Sequence, residues 1–477
     1  AKQYVKGRLV LSKLIVIIKD KLKMGTDGKT FTKRKRRLIL NLKRSGVTAA
    51  SIKTERPELP RVLDAIFAAM KLMRARRGKK LRQIVLDFRN AFFQFPVSPA
   101  EQRFFATRLK KSVFVWTRCV QGSRGAPLVC GRCLALAMRL CFGLLEDGRG
   151  SASTYVDDPL STYIGTEEEQ EEAICVTTAG LLILGFDLAF DKAQDSDEGP
   201  VTWTSAKLEV GHDDESITVK VKDDIIAEVK NSVDKLLQAR TIPLDELRTL
   251  AGQATCIASL LHAWRPFVSM IWAPLYDSKA RCWWEPGSIW KKPVEIALKW
   301  MAAFLHGQRG SLIRVYRLSD YLGEGELTEV VTDASPNALG AYLVEGGEIA
   351  EYFEDAITAQ DQHILGAHTG SSQGQQIWEA LAVLCALRLW ANRWQHKRVR
   401  LRVKTDNVSA LVMVVRMKAK GTGTSLVARE LALDIAEAIY EPSVAAHIPG
   451  VANVLADFLS RMRGRGDLVI PDALRSA

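Results

Sequence analysis

The sequence predicts a multidomain protein that combines α+β and α/β architecture. Three observations predict it. At 477 residues the chain is long enough for two or more domains with real cores. Runs of strand-forming residues alternate with helical patterns along its length. Two groups of carboxylates stand at the ends of strand-like runs, far apart in sequence, as expected of two sites on two separate folds.

Composition bounds the class. Hydrophobic residues make up 47% and charged residues 25%, the balance of an ordinary soluble globular protein. The most apolar stretch, Ile377 to Trp390, carries Glu379 and Arg388, so no bilayer span and no membrane partner are expected. No secretory signal is visible. Eight cysteines and seven histidines form no metal framework, which points to reduced thiols inside the cell, in cytoplasm or nucleus. Cys130 and Cys133 have CxxC spacing, but without a second pair they read as small helix residues. The chain opens at Ala1 in mid-pattern, as a piece of a longer polyprotein would. Its net charge of +13 is unevenly placed: residues 1–82 hold 25 Lys and Arg against five Asp and Glu, leaving the remainder negative. A polyanion footprint, an import signal at Lys33 to Arg37 and a solvated face each account for this asymmetry.

The elements follow in order. Residues 1–83 mix basic strands (Leu9 to Ile18, Arg37 to Leu42) with a helix from Leu59 to Met73. Residues 84–212 open on the strand-like run Ile84-Val85-Leu86-Asp87-Phe88, continue through a helix from Leu128 to Leu145, and reach a hairpin around Tyr155-Val156-Asp157-Asp158. Over 213–325 the pattern is mostly helical, with Val229, Val233, Leu236 and Leu237 on one face and Pro243 just inside a new helix. Its tryptophans, among them Trp264, Trp283, Trp284 and Trp300, are expected mostly in the core, with base stacking as the alternative. Residues 326–466 run strand, strand, helix, strand, helix, and 467–477 form a tail.

Asp157 and Asp158 sit where a tight turn makes two acids project together. Like charges that close repel and raise each other's pKa unless a cation lies between them. A solvated turn is the plain alternative, since Asp is a common turn residue. Asp87, on a second strand, adds a third carboxylate and turns the balance toward a site for the paired Mg²⁺ ions of phosphoryl transfer, with Mn²⁺ as a substitute.

This combination resembles the palm of a reverse transcriptase. Gln121-Gly122-Ser123-Arg124-Gly125-Ala126-Pro127 looks like the segment that opens the palm helix beneath template and incoming nucleotide, and Leu184-Gly185-Phe186 with Asp191-Lys192 looks like the later palm motif. The resemblance implies fingers over 1–83, a palm over 84–212 and a thumb and connector over 213–325. It implies that Asp87 and Asp157 bridge two Mg²⁺ ions with Asp158 in support, that Lys192 protonates departing pyrophosphate, and that Arg37 grips the triphosphate. Tyr155, Gln121 and Gly122 would lie against nucleotide and template. Phe92 matches the bulky side chain that excludes a ribose 2′-hydroxyl, and a core role is its alternative. Asn41 stands where that family more often has Asp. Ser205, in Trp203-Thr204-Ser205-Ala206-Lys207-Leu208, stands where the primer-gripping hairpin usually has Gly. Pro159, just after the hairpin tip, removes a ladder donor and is tolerable at a strand start or edge.

The second group runs Asp333, Glu379, Asp406 and Asp457, on strand, helix, strand and helix. Four converging acids are untenable without divalent cations. The order resembles type 1 RNase H, with His447 matching that family's mobile-loop histidine. Together the two resemblances cover nearly the whole chain: a reverse transcriptase joined to an RNase H, as in the Pol polyproteins of long-terminal-repeat retrotransposons and retroviruses, or of DIRS-type elements on the stretch His447 to Arg461. They imply an RNA template, a DNA primer, deoxynucleotides and an RNA–DNA hybrid as partners. The alternative is an inactive, retroelement-derived nucleic-acid-binding protein.

Overall fold

The computed structural model describes residues 7–24, 30–52, 55, 58–394, 399–419, 421–437, 444–462 and 469–475. The chain folds into two compact units, one of residues 1–204 with 208–213 and one of 205–207 with 214–477. No helix among the described residues is long and apolar enough to cross a membrane.

Unit 1 begins with a two-stranded antiparallel ribbon, β1 (Lys13–Met24) against β2 (Thr30–Asn41), in register from Lys13↔Asn41 to Met24↔Thr30. The strands lie further inward than the basic runs suggested, because each is fixed by its partner along twelve residues. Ile17 and Ile18 of β1 and Arg34, Arg36 and Arg37 of β2 are all exposed. Helix α1 (Val62–Ala75) starts later than Leu59, after Pro60, where the Arg61 backbone N–H donates to Asp64 Oδ2 at 2.8 Å.

The centre of unit 1 is a four-stranded sheet in the order β4–β5–β3–β6. Its strands are β3 (Lys80–Val85), β4 (Gly150–Tyr155), β5 (Asp158–Gly165) and β6 (Gln194–Asp195). Helices α2 (Ala126–Phe142) and α3 (Glu167–Ile183) cover one face of it. Leu134, Met138 and Cys141 of α2 pack with Ala173 and Leu181 of α3 and with Tyr163 of β5. The Tyr163 hydroxyl and Thr177 Oγ1 lie 2.7 Å apart, so the buried phenol is satisfied. This core fixes the ends of β3 and β5, where the first acids stand.

Unit 2 opens with α4 (Asp223–Gln238), α5 (Leu244–Leu260), α6 (Arg265–Tyr276) and α7 (Glu295–Leu305). Pro243 lies just outside α5 rather than inside it: Thr241–Pro243 is extended and pairs with Ser288–Trp290, and Pro243 caps the helix. Trp264 is fully buried, and the Trp300 ring stacks on Phe267 with centroids 3.8 Å apart. Trp283 and Trp284 are exposed instead.

A five-stranded sheet follows, in the order β9–β8–β7–β10–β11. The strands are β7 (Glu326–Ala334), β8 (Ala338–Glu345), β9 (Glu348–Ala356), β10 (Val399–Thr405) and β11 (Val444–His447). β7, β8 and β9 form an antiparallel meander, and β10 and β11 run parallel to β7. Helices α8 (Ser372–Leu389), α9 (Val408–Arg416), α10 (Thr422–Ala436) and α11 (Val454–Arg461) complete the layer. Parallel strands need crossover connections, and α8 lies in the one from the meander to β10.

Candidate active sites

In unit 2 the carboxylates converge. Ligand oxygens of Asp333, Glu379 and Asp406 all lie within 4.8 Å of one another. Asp333 is the penultimate residue of β7, Asp406 follows the neighbouring parallel strand β10, and Glu379 reaches in from α8. Asn407 accepts the Ala410 backbone N–H at 3.0 Å and caps α9, which holds the chain at Asp406. Trp378, Ala380, Ala382 and Val383, buried around Glu379, anchor α8 and commit its carboxylate to the interior.

Burial pushes the Glu379 carboxyl up to about 8, and nearby Asp333 adds to the shift. Asp333 is pushed up to about 6, first by burial and then by Asp406 and Asp457, against the hydroxyl of Ser460. Gln375 Nε2 donates to Glu379 Oε1 at 3.1 Å and also to the Ala334 carbonyl. Glu379 Oε2 is buried without a hydrogen-bond partner. An orphaned hard oxygen beside two further carboxylates fits a Mg²⁺-sized cation, which favours oxygen donors.

Asp457, on α11, lies outside the converging trio. Arg461 donates Nε–H to Asp457 Oδ1 at 2.6 Å. Ser460 donates to Asp333 Oδ2 at 2.6 Å. Gly340, opposite Asp333 in the ladder, allows this approach, because a Cβ there would lie 2.4 Å from the Ser460 backbone nitrogen. Asn453 donates to the Thr332 carbonyl at 3.1 Å and pins the start of the same helix. His447 is exposed at the end of β11, level with Thr405, and a Cβ on Gly450 would lie 3.1 Å from Asp406 Oδ2. The histidine's loop therefore borders the trio.

In unit 1 the acids share an edge without gathering. Tyr155 pairs with Asp158 across a two-residue turn, Val156-Asp157. Val156 has φ 57°, a strained conformation for a β-branched residue. A Cβ on Gly131 of α2 would lie 3.4 Å from Val156 Cα, so the helix supports the turn from beneath. Burial, and then the Asp157 carboxylate, push the nearby Cys130 thiol up to about 12. Cys130 and Cys133 both belong to α2, and all eight cysteines are free thiols.

Val85 pairs with Leu160, and Leu86 N–H donates to the Pro159 carbonyl at 3.4 Å, so Asp87 follows at the same end as the hairpin tip. Pro159 faces the end of β3, where the ladder stops, so the one bond it cannot donate falls just past the last rung. Asp87 Oδ2 lies 2.5 Å from Lys192 Nζ. Gln94 bridges the two segments, donating to the Arg89 and Asp187 carbonyls at 2.8 and 3.0 Å. Trp203 donates its indole N–H to the Asp158 carbonyl at 2.9 Å. The positive φ near that hairpin falls on Thr204 (51°). Phe92 is half-buried against the core beside Asp87. Gly122 has φ 104°, and a Cβ there would meet the Leu40 carbonyl at 2.4 Å, while Leu40 N–H donates to the Gln121 carbonyl at 3.0 Å. Only glycine suits that junction. Tyr155 and Arg37 are exposed.

Sequence reasoning missed Ser460, Gln375 and Arg461. All three stand three or four residues from a site acid on the same helix, a spacing that places them on its face.

No family model matches the sequence, and no curated protein matches it. Similar solved structures include the foamy viral protease-reverse transcriptase dRH in complex with double-stranded DNA, at 15% identity over 91% of this chain and 66% of that one, TM-score 0.43. The foamy viral protease-reverse transcriptase with double-stranded DNA is similar at 15% identity over 91% and 79%, TM-score 0.40. The same protein in complex with an RNA/DNA hybrid is similar at 14% identity over 94% and 52%, TM-score 0.42.

Proposed function

We propose that the chain is an RNA-directed DNA polymerase coupled to an RNase H, from a retrotransposon-type Pol polyprotein. Fingers (1–83) and nearly all of the palm (84–212) would fall in unit 1. Nearly all of the thumb and connector (213–325) and the RNase H-like region (326–466) would fall in unit 2. The observation that carries the reading is that each compact unit presents its own carboxylates at the end of its own sheet.

In the hydrolytic site, Asp333, Glu379 and Asp406 would hold the cations, with Asp457 joining from α11. Bound Mg²⁺, two per site, would activate the attacking oxygen and steady the leaving one. Gln375 holds Glu379 by Oε1 and leaves Oε2 for a cation, and Ser460 holds Asp333 by Oδ2. His447, exposed at the end of β11, would meet the substrate strand. Contact with the ribose 2′-hydroxyl would restrict cleavage to RNA.

In the polymerase site, Asp87 and Asp157 would hold the cations with Asp158 in support. Lys192, whose Nζ lies 2.5 Å from Asp87 Oδ2, would deliver a proton to departing pyrophosphate. Phe92 would exclude ribonucleotides, Gln121 and Gly122 would support the template, Tyr155 would meet the primer end, and Arg37 would take phosphate. The Lys192–Asp87 pair also favours a second reading, a nucleic-acid-binding derivative without polymerase activity, because that lysine stands against a metal ligand.

Primer extension on an RNA template with Mg²⁺, run beside cleavage of a labelled RNA–DNA hybrid, tests the proposal. Both activities are expected. Tight nucleic-acid binding with neither activity would establish the second reading instead.

A further inference from the structure

Helix α11 carries more than its acid. About one turn beyond Asp457, two adjacent side chains grip different carboxylates of the hydrolytic site. Ser460 is buried and donates to Asp333 Oδ2 at 2.6 Å, inside the converging group. Arg461 donates to Asp457 Oδ1 at 2.6 Å, on the rim, where the two side chains are 47% and 45% exposed. Asp457 is also the acid of the four that the trio does not include. The two contacts therefore act in opposite senses. One tightens the trio, and the other occupies the fourth ligand.

We propose that Arg461 is a positioning residue that takes the place of a cation on Asp457, so that the site fills in two steps. The first divalent ion binds on Asp333, Glu379 and Asp406, and the second binds only when Asp457 exchanges Arg461 for metal. This rests on the cation-dependent reading of the site given above. An acid four residues before a base is the favourable order on a helix, so the pair forms readily in the cation-free protein. Half-exposed pairs of this kind are weak, so a dication can displace the guanidinium. Had the pair been buried, the exchange would have stranded an uncompensated charge. The arrangement gives a reason for a basic residue on the rim of an acidic site.

The test is a Mn²⁺ titration, read by calorimetry and by the electron paramagnetic resonance of free ion. It uses the full chain carrying Asp87→Asn, Asp157→Asn and Asp158→Asn, so that the unit 1 acids do not contribute. Two binding classes are expected. Arg461→Met should tighten the weaker class by about fivefold, the effect of removing one half-exposed pair, and leave the tighter class unchanged. Arg461→Lys should fall between, because a lysine keeps the charge without the planar fork. Asp457→Asn should abolish the weaker class whichever residue stands at 461. Cation-free melting curves identify any variant that is misfolded, and in that case the Lys variant decides. An unchanged weaker class in Arg461→Met, or equal shifts in both classes, overturns the role of Arg461 while leaving the first cation site standing. Failure of the parent chain to bind any Mn²⁺ overturns the cation reading itself, and this role with it.

Discussion

The two acid sets differ in how far they are assembled before any ligand arrives. In unit 2 the trio is drawn together, with Asp333 and Glu379 buried and Asp406 half-buried, and is supported by Gln375 and Ser460. In unit 1 the acids share a sheet end, one of them is paired with Lys192, and the hairpin tip is held in a strained turn. A buried cluster of like charges stores repulsion that a cation relieves, whereas an open edge leaves its geometry to be completed by the substrate. If unit 2 hydrolyses as proposed, its attacking water is always present and a preformed site suits it. If unit 1 polymerises, the nucleotide would bring its own phosphates to the metals.

The largest expected effect separates the two sets outright. Asp157→Asn should lower DNA synthesis by about a thousandfold or more, as when one member of a catalytic unit is lost, and leave hybrid cleavage largely intact. Asp406→Asn should do the converse. Labelled primer and labelled hybrid assays in parallel measure both. A folded variant that lost both activities would end the partition into two sites.

The next effect sharpens the contrast in assembly. Native Glu379 and Asp333 titrate at about 8 and about 6, against about 4 in an unfolded chain. The native state therefore holds extra protons over that interval, and cation-free stability should fall as pH rises from about 4 to about 8. Mg²⁺ needs the deprotonated acids, so its stabilisation should grow over the same range. At a hundred times its Kd it would contribute about 2.7 kcal/mol. Calorimetric melting at pH 6 and pH 8, with Mg²⁺ and with chelator, is the measurement. Glu379→Gln should raise cation-free stability at pH 8 and erase most of the Mg²⁺ gain. An equal Mg²⁺ effect at both pH values would mean that the trio is not the ion's site.

How much of this was legible beforehand follows from the same contrast. Asp333 and Glu379 stood out because an acid set against an apolar run is costly and demands a reason, and Asp406 because it ends a third strand. Asp87 and the tip pair stood out for the same cause, at strand ends. What the sequence hid were interactions across elements. Nothing local pairs Lys192 with Asp87 across 105 residues, and nothing in Val156 announces a positive φ. Ser460 looks like any helix serine until Gly340 lets its backbone close on β8. Pro243 was misplaced by one position because an extended pairing with Ser288 competed with the helix start.

A smaller effect concerns the exposed ribbon of unit 1. Replacing Arg34, Arg36 and Arg37 with Gln should weaken template–primer binding with little regard to sequence. The slope of log K against log salt should flatten by about 0.9 for each duplex phosphate no longer neutralised. Affinities measured across a salt series decide it. An unchanged slope would assign these arginines to solvation or to an import signal.

The smallest expected effect tests how open the unit 1 site is. Phe92 lies five residues after Asp87, half-buried against the core. If its exposed edge fills the space of a ribose 2′-hydroxyl, Phe92→Ala should raise ribonucleotide incorporation by on the order of tenfold or more relative to deoxynucleotide, the scale of steric discrimination in a pocket. The metals' ligands are untouched, so deoxynucleotide incorporation should fall far less. A purely structural role gives a different pattern. Truncating a fully buried Phe costs about 3–5 kcal/mol, and a half-buried one costs less, so stability would drop and both substrates would suffer together. Catalytic efficiencies for matched nucleotide pairs, measured beside the melting temperature, separate the cases. An unaltered ratio with a lowered melting temperature would make Phe92 a packing residue and leave sugar selection to another part of the open edge.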